Sequence, residues 1–197
     1  MLFRSQPQQP TQRLEVNISG LSVGHEGLRD HISKRIATTG IDPAGLVFEI
    51  TETAAVERIT AAREFAEYLR DLGCRFALDD FGAGFGSFYY LKHLPFDYVK
   101  IDGEFVANCT ASLTDRLVID SVVSICRGLG KQTVAEFVGD QATLEFLRSR
   151  HVDYAQGYHI GRPIPLEQAF PESPPPSPAV RHPRGDLRRQ GSPGAGA

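Results

Sequence analysis

Two adjacent carboxylates, Asp79 and Asp80, end an apolar run that begins at Arg75, and a glycine-rich segment, residues 81–87, follows them. Buried carboxylates are costly to keep ionised unless cations or hydrogen-bond donors meet them. A pair of metal ions is the natural compensator, because carboxylate oxygens suit Mg²⁺ or Mn²⁺. The glycine-rich segment alone is a weak indication of a phosphate cradle, since two carboxylates would repel a phosphate unless a metal intervened.

Polar side chains end the other apolar runs in the same way. The further candidates are Asn17, Glu49, Lys100, Glu136 and Gln156. Side chains alternate across a strand, so Asn17, Glu49, Lys100 and Glu136 can project with Asp79 to one centre. Parallel α/β proteins bind ligands at this end of the sheet. Glu52 has the opposite parity from Glu49, so it is predicted to brace a loop.

Each of these residues also has a structural interpretation. A strand-end Asp often caps the following helix, and Lys100 could pair with Asp102 or lie solvated. The six histidines lack a ligand-like i, i+4 pair and are interpreted as surface or capping residues, and no Gly-x-Ser-x-Gly elbow is present. Three cysteines at unrelated spacings, Cys74, Cys109 and Cys126, indicate reduced thiols packed against apolar neighbours.

Short strand-like runs alternate with segments of helical period, which predicts an α/β fold with a parallel sheet. The strand-like runs span residues 14–19, 46–51, 75–79, 98–102, 133–136 and 154–155. A closed (β/α)8 barrel needs eight strands and typically about 250 residues. Six units over residues 13–170 therefore indicate either an open sheet or a barrel that lacks its opening.

Composition is that of a globular protein, with 41% hydrophobic and 23% charged residues among 197 and a net charge of −3. That charge provides no general attraction for nucleic acid or membranes. No membrane span or secretory signal is evident, which predicts a cytoplasmic protein. Residues 1–12, rich in Gln and Pro, and residues 171–197, rich in Pro, Ser, Gly and Arg, are predicted to be disordered tails.

Taken together, the motifs resemble the EAL family, the bacterial cyclic di-GMP phosphodiesterase domain, from about residue 13 to 170. They are Asn17-Ile18-Ser19, Glu49-Ile50-Thr51-Glu52, Asp79-Asp80-Phe81-Gly82-Ala83-Gly84, Lys100-Ile101-Asp102, Ala135-Glu136-Phe137-Val138 and Gln156-Gly157-Tyr158. The resemblance implies an incomplete (β/α)8 TIM-like barrel whose complete form hydrolyses cyclic di-GMP to pGpG at a two-metal centre, holding Mg²⁺ or Mn²⁺.

The resemblance also implies a role for each site residue. Metal ligands are Asn17, Glu49, Asp79 and Asp80, with Asp79 and Asp80 forming the bridge between the two ions. Lys100 orients the attacking water or a phosphate oxygen, Glu136 is a second-metal ligand or the general base, and Gln156 hydrogen-bonds near the water. Glu52 braces the loop at residues 81–87, which the family links to homodimer formation and metal affinity.

Departures from the family pattern predict low activity. The Glu-Ala-Leu motif, whose Glu is a metal ligand, and the substrate-binding Arg after it lie upstream of Asn17 in the family and have no counterpart here. Gly139-Asp140 replaces a common Glu-Thr pair, which affects a secondary polar contact, whereas Gly86 in place of a common Ser is expected to be tolerated. We therefore expect little or no activity from this chain alone. The alternatives are a non-catalytic cyclic di-GMP receptor or protein-interaction module, or a gene fragment.

Overall fold

The structure, a computed structural model, describes residues 3–4, 13–82, 91–165 and 168. The chain divides into two units, Met1–Arg162 and Pro163–Ala197, and all the strands lie in the first. These strands are β1 (Phe3–Arg4), β2 (Leu14–Asn17), β3 (Leu46–Thr51), β4 (Arg75–Phe81), β5 (Tyr98–Ile101), β6 (Gln132–Ala135) and β7 (Tyr154–Ala155).

One sheet contains every described strand, in the order β1-β7-β6-β5-β4-β3-β2. Strands β2 to β7 are parallel neighbours in chain order, and they curl into a half-barrel. This confirms the α/β class and the six predicted units. A further strand, β1, lies within residues 1–12, the segment predicted to be disordered, and it pairs antiparallel with β7. The rest of residues 1–12, and residues 171–197, lie outside the described residues.

Six described α-helices connect and cover the parallel strands. They are α1 (Glu26–Thr39), α2 (Glu52–Glu57), α3 (Ile59–Asp71), α4 (Gly103–Ala107), α5 (Leu113–Gly128) and α6 (Gln141–Ser149), with a 3₁₀ turn at Pro43–Gly45. Side chains cap several helix starts by accepting hydrogen bonds from backbone N–H groups that would otherwise be unpaired. Asp140 accepts a hydrogen bond from Thr143 N at 2.7 Å, and Asp102 accepts one from Glu104 N at 2.7 Å.

Alternation along the strands separates two apolar layers. The larger lies between sheet and helices, where Phe48, Phe76 and Leu78 pack with helix residues such as Phe65. The smaller lies on the inner face of the half-barrel and contains Val47, Ala77, Tyr98, Val134 and Tyr154. The inner face is therefore apolar below and polar at the carboxyl ends of the strands.

The three cysteines are free and buried, as predicted. Burial raises the pKa of the Cys126 thiol to about 12, which keeps that thiol protonated and inert. Among the described residues, no helix has both the length and the apolar character that crossing a bilayer requires.

Candidate metal centre

Lys100 lies at the centre of a buried acidic cluster on the inner face of the half-barrel. Its Nζ is 2.9 Å from Glu49 Oε2, 3.0 Å from Asp79 Oδ1 and 2.9 Å from Glu136 Oε1. These side chains come from the carboxyl ends of β3, β4, β5 and the residue after β6, so four neighbouring strands build one site. Lys100 does not pair with Asp102, which instead caps helix α4.

A bulge in β4 brings the side chain of Asp80 to the same side of the sheet as that of Asp79. The register between β4 and β5 shifts between Leu78 and Phe81, and Asp80 has a left-handed φ of 53°. In a regular strand two adjacent side chains would point to opposite faces, whereas a bulge re-aims one of them. Carboxylate oxygens of Asp79, Asp80 and Glu136 consequently lie within 4.8 Å of one another.

Burial makes this cluster electrostatically strained. The pKa of Glu136 is raised to about 7, chiefly by burial and also by the nearby Asp79 and Asp80 charges, against the opposing effect of Lys100. Burial likewise raises the pKa values of Glu49 and Asp80. For Lys100, burial lowers the pKa, but hydrogen bonds to Glu49 and Glu136 outweigh it, so the pKa is raised. One ammonium group leaves most of the negative charge uncompensated.

The remaining predicted residues surround this cluster. Asn17 is solvent-exposed, yet it lies near enough to Glu49 to lower the pKa of that carboxyl against the larger effect of burial. Gln156 follows β7, and its Oε1 is buried without a hydrogen-bond partner among the described residues. Glu52, buried at the start of α2, accepts a hydrogen bond from Gly82 N at 3.0 Å. That contact agrees with a loop-bracing role, although residues 83–87 lie outside the described residues.

Two residues near the cluster were not predicted. Glu15 lies two positions before Asn17 on the same face of β2, and burial and the Glu49 charge raise its pKa. The i, i+2 spacing from Asn17 was the available signal for it. Phe137 follows Glu136 with a left-handed φ of 54° and is 72% exposed. No sequence signal indicates a left-handed aromatic residue, because such a conformation depends on packing.

The donor set fits divalent cations. Asp79, Asp80 and Glu136 offer clustered hard oxygen ligands, and the excess of buried negative charge needs compensation. The Gln156 Oε1 is a buried acceptor with no donor among the residues that the structure describes. A carboxylate-rich cluster at the carboxyl ends of a curled parallel sheet is typical of barrel-type α/β proteins, whose active sites lie at that end.

Residues 2–163 match the EAL domain, and the chain belongs to the EAL domain family. The Cyclic di-GMP phosphodiesterase PdeB of Shewanella oneidensis is 46% identical over 153 residues, which are 78% of this chain and 18% of PdeB. The Cyclic di-GMP phosphodiesterase PdeF of Escherichia coli is 35% identical over 157 residues, which are 80% of this chain and 21% of PdeF.

Solved structures are similar in fold as well. The phosphodiesterase PaMucR, in complex with c-di-GMP, has a TM-score of 0.75 and 34% identity, and the match covers 80% of this chain and 64% of that chain. The EAL domain of Mycobacterium smegmatis DcpA has a TM-score of 0.73 and 30% identity, covering 77% and 68%. The chain thus spans 18% and 21% of the two curated relatives, and it resembles cyclic di-GMP phosphodiesterases.

Proposed function

We propose that this chain carries a cyclic di-GMP phosphodiesterase site that uses Mg²⁺ or Mn²⁺ at two positions. The observation that supports it most is the Lys100 ammonium, which lies within 3.0 Å of three buried carboxylates from three other strands. Burying these charged groups costs free energy, and titratable groups with perturbed pKa values cluster at functional sites. Relatives named cyclic di-GMP phosphodiesterases supply the substrate class.

Two groups of residues would hold the cations. Asn17, Glu49 and Asp79 would bind the first, while Asp79 and Asp80 would bind the second, and Glu136 would either complete the second group or act as the general base. The ions would lower the pKa of water and neutralise charge on the phosphate in the transition state.

The chain's own side chains position and deprotonate water. The water oxygen attacks phosphorus, the bond from phosphorus to the ribose 3′-oxygen breaks, and that oxygen takes up a proton from solvent and leaves as the 3′-hydroxyl of linear pGpG. Where Glu136 is not a metal ligand, it accepts the proton from water, because its carboxylate lies beside those of Asp79 and Asp80. Lys100 donates a hydrogen bond to the attacking water or a phosphate oxygen, and Gln156 Oε1 accepts one near the water.

Turnover by this chain alone is proposed to be slow. The 197 residues contain no Glu-Ala-Leu tripeptide, so the metal-ligand Glu and the substrate-binding Arg implied by the resemblance are not supplied. Small errors in the placement of reacting groups cost orders of magnitude in rate. We also propose a cytoplasmic location, where the buried free thiols would stay reduced.

The test incubates the purified full chain with Mn²⁺ and cyclic di-GMP and follows pGpG by chromatography. We expect slow, EDTA-sensitive formation that Glu136→Gln abolishes. Glu145→Gln, on the exposed face of α6, should leave the rate unchanged. Rapid pGpG formation would contradict the proposed slow turnover. Calorimetric binding of cyclic di-GMP without turnover would favour the receptor alternative. The absence of both binding and turnover would overturn the proposal.

A further inference from the structure

Helix α4 contacts the loops on both sides of it through close glycine–phenylalanine pairs. Its first residue, Gly103, lies against the ring of Phe137, so that a Cβ atom on Gly103 would stand 2.6 Å from the Phe137 Cγ. Its third residue, Phe105, lies against Gly82, where an added Cβ atom would stand 2.9 Å from the Phe105 Cε2. Carbon atoms do not approach so closely, so these contacts leave no room for larger residues.

These contacts join the segments that carry the acidic cluster. Gly82 lies two residues after Asp80, and Phe137 directly follows Glu136. Helix α4 itself begins three residues after Lys100. Helix α4 therefore follows the strand that carries Lys100. It also packs against the segments that follow Asp80 and Glu136.

Phe137 has a conformation that needs support. Its φ of 54° is left-handed, which is strained for an aromatic residue. The neighbouring residues are held by backbone hydrogen bonds, from Glu136 N to Ile101 O at 3.4 Å and from Val138 N to Gln156 O at 3.0 Å. Phe137 is 72% exposed, and the backbone of Gly103 is the close packing partner of its ring.

We propose that these pairs form a clamp that sets the separation between the Asp80 and Glu136 carboxylates. The α4 clamp consists of Gly82, Gly103, Phe105 and Phe137. Phe105 and Phe137 are then positioning residues that act through the loops they hold. The clamp's effect on a metal ion rests on the proposed function.

The first test measures Mn²⁺ binding to the full chain by titration calorimetry. Gly103→Ala should lower Mn²⁺ affinity by about tenfold or more, as is usual when support around a metal ligand is lost. Gly128→Ala is the matched control, because a Cβ atom there meets nothing within 4 Å. Equal Mn²⁺ affinities of the two variants would overturn the proposal.

Substitutions at Phe137 separate backbone positioning from ligand contact. Phe137→Ala keeps the strain but removes the ring, so Mn²⁺ affinity should fall by about tenfold. Phe137→Gly relieves the strain and should lose less affinity, and it should restore most of the affinity that Gly103→Ala loses. Unchanged Mn²⁺ affinity with equal loss of cyclic di-GMP affinity in both Phe137 variants would overturn the clamp in favour of direct contact with nucleotide.

Failure of the proposed function gives a different result. If the unsubstituted chain binds no Mn²⁺, the metal site is contradicted, and the clamp is decided by thermal unfolding midpoints. The clamp predicts that Phe137→Gly rescues the lowered midpoint of Gly103→Ala. Additive midpoint changes in the double variant would overturn it.

Discussion

At the scale of single residues, the protein concentrates negative charge where burial makes it most costly. Glu49, Asp79 and Glu136 share one ammonium group, and Asp80 lies beside them without an ion pair among the described residues. The result is a set of carboxyl groups whose pKa values are raised chiefly by burial. Protons, Lys100 and divalent cations therefore compete for the same oxygen atoms.

A pH dependence of stability follows for the metal-free chain. Folding raises the pKa of Glu136 from 4.5 to about 7, so the stability contributed by its proton is full below pH 4.5 and is lost as pH rises through about 7. Between pH 5 and 8 this loss amounts to between about 2 and 3 kcal/mol. We expect the unfolding free energy of Glu136→Gln, measured with urea, to lack this part of the decline. Parallel pH profiles for the two proteins would contradict it.

Added Mn²⁺ should act in the opposite sense. Metal ligands must be deprotonated, so Mn²⁺ should raise the thermal midpoint more at pH 8 than at pH 5. The Glu136→Gln protein should show a smaller increase at both pH values.

At the scale of elements, strand β4 decides whether the acidic pair can work as a unit. Its bulge and the left-handed Asp80 turn two adjacent carboxylates toward neighbouring positions. Bulges are over-represented next to active sites because they re-aim side chains at the cost of regular pairing. The Asp80 N–H donates to Asp79 Oδ1 at 3.1 Å, which stabilises the bulge locally.

Asp80→Asn should separate stability from metal binding. Asn tolerates the left-handed conformation and removes one charge from the cluster, so the metal-free chain should be as stable or up to about 1 kcal/mol more stable. Its Mn²⁺ affinity should fall by about tenfold or more because a ligand charge is lost. Denaturant unfolding and calorimetry measure the two effects, and Asp30→Asn on the exposed surface of α1 is the control. A fall in stability with unchanged Mn²⁺ affinity would contradict this assignment.

At the scale of the whole molecule, one side chain joins the distant ends of the curled sheet. Arg13, just before β2, places its guanidinium 5.2 Å from the Tyr98 ring centre and 5.4 Å from that of Tyr154. Its Nη1 also donates to Tyr154 Oη at 3.1 Å, across 141 positions of sequence. Arg13 thereby covers the apolar inner layer and links β2 to β7. Homodimer formation through the loop at residues 81–87 stays a prediction, because residues 83–87 lie outside the described residues.

Removal of this link should weaken the half-barrel. Arg13→Ala loses contacts to two rings and one hydrogen bond, so the unfolding free energy should fall by about 2 kcal/mol. Arg13→Lys keeps the charge but loses the planar stacking, and its stability should be intermediate. Arg127→Ala, on the exposed surface of α5, should change stability little. Equal stabilities for Arg13→Ala and Arg127→Ala would contradict the role given to Arg13.

The sequence alone determined the order of the elements and the face on which the polar residues meet. Strand periodicity is local, and the ends of parallel strands share one edge, so Glu49, Asp79, Lys100 and Glu136 could be expected to converge. The bulge at Asp80, the left-handed Phe137 and the Arg13 link were decided only by the tertiary structure. Each depends on contacts between residues far apart in the chain, which no local pattern of residue types encodes.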